Sequence, residues 1–90
     1  MKKDESLKKI IADLKENTFE ISVHGYQRMS ERSISVEQIL SLINSPAIDN
    51  YWWSNKHESW NFTGKGLARD EFTIACVYEE ETLIVTVFWD

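Results

Sequence analysis

Ninety residues suffice for one domain and not for two. With 42% apolar residues and four tryptophans the chain has the material of a core, which excludes disorder. It has no apolar run near the ~20 residues that span a bilayer. The charged start, Met1 to Glu5, has no apolar stretch behind it and so is not a signal peptide. Cys76 is the one cysteine, so no internal disulfide can form, and a reducing, cytoplasmic location is expected. Cys76 lies in an apolar run and reads as a small buried hydrophobe.

The net charge of −5 weighs against broad, sequence-independent binding to nucleic acid. The charge is uneven, however. Residues 1–17 hold five lysines and four acids, and residues 46–90 hold three bases and eight acids. A basic site therefore belongs, if anywhere, to the first half.

Leu7, Ile10, Ile11 and Leu14 form a single apolar stripe at helical spacing, which predicts an amphipathic helix over roughly residues 3–16, ended by Asn17 and Thr18. Phe19, Ile21 and Val23 alternate with polar residues as a short strand would. A short helix over 24–32 follows. Ser35 with Gln38 three residues later marks a capping box, opening a helix whose buried face is Val36, Ile39, Leu40 and Ile43. Asn44, Ser45 and Pro46 stop it.

The second half is strand-like. The segment from Ile48 to Trp53 is aromatic and apolar, and Trp60 and Phe62 alternate with polar neighbours. Gly64-Lys65-Gly66 reads as a turn. Phe72, Ile74, Cys76 and Tyr78 alternate, and Leu83 to Trp89 is strongly β-prone. The Glu79–Glu81 gap makes these two runs an antiparallel hairpin, with Tyr78 opposite Thr82 and Cys76 opposite Ile84. The expected fold is α+β: N-terminal helices packed on an antiparallel sheet of three to four strands, plus one short strand before the second helix. All 90 residues form one domain, in which residues 1–17 are an added helix and 19–89 the core.

The chemistry-bearing stretch runs from Ile21 to Ser35. If residues 24–32 are helical, His24, Arg28 and Arg32 lie within about 80° of one face. An imidazole at a helix N-terminus followed by two guanidinium forks suits a phosphate. A neutral imidazole can act as a general base. Metal-independent RNA cleavage asks for such parts: a base for the 2′-hydroxyl, cations for the phosphorane and an acid for the leaving oxygen. The structural alternative is that Arg28 and Arg32 pair with Glu31, Glu20 or sheet carboxylates, and that His24 caps a helix.

His57 reads as a surface histidine or as a partner to His24 across a cleft. Lys65 and Arg69 flank a turn, either solvated or touching a nucleic-acid backbone. The tryptophans 52, 53 and 60 read as packing or as a base-stacking platform. Two histidines without a ligand cluster make a poor metal site, and no dinucleotide or phosphate-loop motif is present, so no cofactor is expected.

The stretch Ile21-Ser22-Val23-His24-Gly25-Tyr26-Gln27-Arg28-Met29-Ser30-Glu31-Arg32-Ser33-Ile34-Ser35 resembles the signature S-x-H-A-x-x-R-M-x-E-R-G-I-S of the domain-of-unknown-function family numbered 4258. The resemblance extends over residues 19–89 and closes on Thr86-Val87-Phe88-Trp89. Gly25 stands where Ala is usual, and Ser33 where Gly is usual. The order of elements is similar to that of small bacterial toxin ribonucleases of the RelE/ParE and BrnT kinds. This implies a metal-free endoribonuclease acting on RNA and held by an antitoxin, with His24, Arg28 and Arg32 as catalytic residues and Lys65, Arg69 and His57 as substrate contacts. Leu83 to Asp90 departs from the basic last strand of such toxins. The competing expectation is a non-catalytic interaction module (immunity protein, antitoxin or regulator) whose acidic, aromatic half meets a protein partner.

Overall fold

The computed structural model describes residues 2–45, 50–67 and 70–90. The first helix, α1 (Lys3–Lys15), buries Ile10 and Leu14 and half-buries Leu7 and Ile11. Asn17, with φ of 58°, reverses the chain into strand β1 (Phe19–Ile21). Ser22 then takes an extended conformation, and its hydroxyl accepts from the Gly25 N–H at 2.9 Å, capping α2 (Val23–Arg32). Val23 is therefore the first residue of a helix and largely exposed, not the last of a strand.

Ser33 ends α2 in the left-handed region (φ 55°, ψ 43°), and the Ile34 N–H bonds back to the Met29 carbonyl at 3.0 Å. This is a position where a side chain costs conformational energy and glycine does not. Ser33→Gly is accordingly expected to raise stability by about 0.5–1 kcal/mol. Chemical unfolding would read this as a higher midpoint at unchanged slope; an unmoved or lowered midpoint would refute it.

Helix α3 (Val36–Ile43) opens on the expected capping box. The Gln38 N–H donates to Ser35 Oγ at 3.2 Å, and Gln38 Oε1 accepts from the Ser35 N–H at 2.8 Å. Ser35→Ala is expected to cost about 1 kcal/mol in equilibrium unfolding, because it removes one acceptor from otherwise unpaired donors. Full stability in that variant would mean that the cap contributes nothing. The buried stripe of α3 is Ile39, Leu42 and Ile43. Leu40 lies at its margin, and Val36, in the first turn, is exposed. Pro46 and Ile48 lie outside the described residues.

The strands are β2 (Tyr51–Ser54), β3 (Ser59–Lys65), β4 (Glu71–Tyr78) and β5 (Thr82–Trp89). They form a five-stranded mixed sheet in the order β1-β5-β4-β3-β2, in which only β1 runs parallel to its neighbour. The sheet is thus wider than three or four strands, because β1 joins it at the β5 edge. The β4–β5 hairpin pairs Tyr78 with Thr82 and Cys76 with Ile84, as the three-residue gap at Glu79–Glu81 predicted. Gly64 and Lys65 are not a turn. They continue the ladder opposite Phe72 and Glu71, and the chain leaves the strand only at Gly66.

One face of the sheet presents Phe62, Phe72, Ile74, Cys76, Ile84 and Val87 to the buried side chains of the helices. Cys76 is fully buried there, and burial pushes its thiol pKa up, which removes it as a nucleophile. Helix α1 is part of this core. Asp13 accepts from Thr82 Oγ1 at 2.7 Å, and the Lys3 carbonyl accepts from the Trp60 indole at 3.2 Å.

Helix α2 flanks β5. The Ser22 N–H bonds to the Ile84 carbonyl, the Arg32 guanidinium to the Val87 carbonyl, and the Trp89 indole N–H to the Arg32 carbonyl. Strand β1 pairs with β5 only as far as Ile84. Beyond that point Arg32 satisfies backbone that would otherwise be an open strand edge.

Candidate functional site

The other face of the sheet carries a cavity of about 560 Å³, lined by residues from α2, β2, β3, β4 and β5 and by His57. Alternation along the strands explains its floor. Trp52, Asn61, Ala75 and Thr86 are successive ladder partners across four strands, and all four line the cavity. Ala75, the smallest of them, leaves a hollow in the middle of the row. Ser54 and Ser59, also partners, add a second row. A bulge deepens the β5 side: Ala75 pairs with Thr86 but Cys76 with Ile84, so Val85 is the extra residue and lines the cavity beside Thr86.

Two walls face each other over this floor. Helix α2 supplies His24 from its first turn and Arg32 from its last, eight residues and about 12 Å apart along the helix axis. The opposite wall is β2 and the turn after it, with Trp52, Ser54 and His57. The His57 N–H donates to Ser54 Oγ at 3.3 Å, which ties the turn to the strand. Among the described residues the lining includes the imidazoles of His24 and His57 and the guanidinium of Arg32, and no carboxylate. In a chain of net charge −5 this is a local inversion of sign.

The structure separates the residues that helical spacing had grouped. His24 and Arg32 reach the cavity; Arg28 does not line it. Its guanidinium donates to both carboxylate oxygens of Glu31, at 2.7 and 2.8 Å, on the half-exposed surface of the helix. That pairing, three residues apart, turns the side chain away from the cleft. Arg32, by contrast, has no carboxylate partner among the described residues. Among the described residues its guanidinium makes one hydrogen bond, to the Val87 carbonyl, which leaves further donors of its fork free beside the cavity that it lines. His57 joins His24 at one cleft. Lys65 is exposed at the end of β3 and does not line it. Arg69 lies outside the described residues.

Sequence reasoning missed Asn61 and had weighed Trp52 only as packing or stacking. Asn61 is 2% exposed, and its Nδ2 is buried with no hydrogen-bond partner among the described residues. Its Oδ1 accepts a long bond, 3.4 Å, from Ser59 Oγ. A buried polar group left unpaired costs about 1–3 kcal/mol. The available signal was the alternation Ser59, Asn61, Thr63 against Trp60, Phe62, which sets Asn61 on the face away from the core.

An α+β domain whose mixed sheet holds its core on one face and a cation-rimmed cleft on the other is what the fold and the site define. The family model described as Domain of unknown function (DUF4258) matches residues 21–89, and the chain belongs to that family. No curated protein and no solved structure matches it. The match begins after α1, whose Ile10 and Leu14 are nonetheless fully buried. No helix among the described residues is long and apolar enough to cross a membrane.

Proposed function

We propose that the cleft binds single-stranded RNA and cleaves it by metal-independent acid–base chemistry, with His24 and His57 as the two proton-transfer groups. The observation that carries this reading is a cavity in which, among the described residues, two imidazoles and one arginine have no carboxylate partner and no acid joins the lining, in an acidic chain. One imidazole takes the proton of a 2′-hydroxyl, whose oxygen attacks the adjacent phosphorus. The other gives a proton to the departing 5′-oxygen, and the products are a 2′,3′-cyclic phosphate and a 5′-hydroxyl end. Arg32 offers N–H donors to a phosphate farther along the same strand, which holds the backbone across the cleft. The roughly 12 Å between His24 and Arg32 along the helix suits a strand better than a lone phosphate.

The test is purified protein incubated with RNA in excess EDTA. Cleavage to cyclic-phosphate ends supports the proposal, and RNA left intact overturns it. A second reading, binding of a protein partner such as an antitoxin, draws on a different observation. Val23 and Tyr26, three residues apart on α2, are 87% and 55% exposed. An inert protein that captures a partner through those two side chains would take the place of the ribonuclease.

A further inference from the structure

We propose that the floor of the cleft is a nucleobase subsite, in which the Trp52 indole stacks one base and the Asn61 amide reads its polar edge. The inference rests on the reading of the cleft as an RNA site and adds the selection of a base. Two independent features carry it. Asn61 is buried, lines the cavity and has an Nδ2 donor with no partner among the described residues, so a ligand acceptor there would relieve a standing cost. Trp52 is its ladder neighbour on the same face and is 46% exposed, an unusual state for the largest apolar side chain in a domain this small.

The geometry fits a flat, polar-edged ligand. The row Trp52, Asn61, Ala75, Thr86 sets an aromatic surface at one end, an amide beside it and a hollow above Ala75. A volume of about 560 Å³ lies inside the range that takes small ligands. Unstacked bases of single-stranded RNA are commonly held in this way, on an aromatic ring with hydrogen bonds to their edges. A side-chain amide carries two N–H donors and a carbonyl acceptor, so it can pair with a base edge that presents an acceptor beside a donor. The sugar–phosphate then falls toward the cationic rim of His24, His57 and Arg32.

Calorimetric titration of the intact protein with the four ribonucleoside 3′-monophosphates, and separately with inorganic phosphate, tests this. At least one nucleotide is expected to bind ten or more times tighter than phosphate, with the four unequal. Asn61→Ala should level the four while leaving phosphate affinity unchanged. Trp52→Ala should weaken all four by about 5–150-fold. Thermal melting checks that Asn61→Ala folds. Should it not, Trp52→Ala, at a half-exposed position, decides alone. Nucleotides binding no tighter than phosphate, a preference that survives Asn61→Ala, or no loss in Trp52→Ala would each overturn the subsite. RNA cut without base preference, equally by wild type and Asn61→Ala, overturns the subsite and leaves cleavage standing. Base-selective binding without cleavage does the reverse.

Discussion

His24→Ala is expected to lower the rate of RNA cleavage by about 10²–10⁴-fold, and His57→Ala by a similar factor, with the fold intact in both. Both imidazoles are exposed on the rim of the cleft, so neither supports the core. Their roles are opposite: one must be neutral to take a proton, the other protonated to give one. The double variant should be little worse than either single one, because residues that act as a unit are not additive. Wild-type rates in His24→Ala would remove the acid–base assignment altogether.

The same assay separates the two arginines. Arg32→Ala removes donors that face the cleft and a bond to the Val87 carbonyl, so both rate and stability should fall. Arg28→Ala breaks an exposed ion pair with Glu31, worth no more than about 0.5 kcal/mol, and should leave cleavage nearly unchanged. Helical spacing assigned these residues the same role. Their contacts do not.

What could be read in advance was local. Two alternating runs and a three-residue gap set the register of the β4–β5 hairpin, and Ser35 with Gln38 set the start of α3. Those signals act over a few residues and survive any tertiary arrangement. The parallel pairing of β1 with β5 joins Phe19 to Thr82, across most of the chain, and nothing near either residue announces it. The cleft is of the same kind. Trp52, Asn61, Ala75 and Thr86 become one row only once three pairings are in register, and a bulge at Val85 adjusts the last of them. His24 and Arg32 were visible because they sit in a compact motif, and His57 could be read as a partner across a cleft. Asn61 was not visible, because only the pairing of β2, β3 and β4 brings it to the cleft, and Arg28 leaves the group through Glu31.

Gly25→Ala is expected to impair activity out of proportion to stability. A β-carbon at Gly25 would lie 2.6 Å from the Ile84 carbonyl oxygen, 3.0 Å from Ile21 Cγ2 and 3.3 Å from Ser22 Oγ. The carbonyl cannot yield easily, since Ile84 is paired with Cys76 in β4 and its oxygen accepts from the Ser22 N–H. Carbon and oxygen meet ordinarily at about 3.3–3.6 Å, so α2 must move outward by roughly 1 Å. Alanine gains about 1 kcal/mol of helix propensity, which offsets part of the 1–3 kcal/mol that such crowding costs. The net loss of stability should stay below about 2 kcal/mol. The site pays more heavily: His24 and Arg32 both ride on α2, and a displacement near 1 Å can cost about 10²-fold in rate. Thermal melting and the RNA assay on one preparation decide the matter. A variant as active and as stable as wild type would mean that the contact between Gly25 and Ile84 does not set the position of His24.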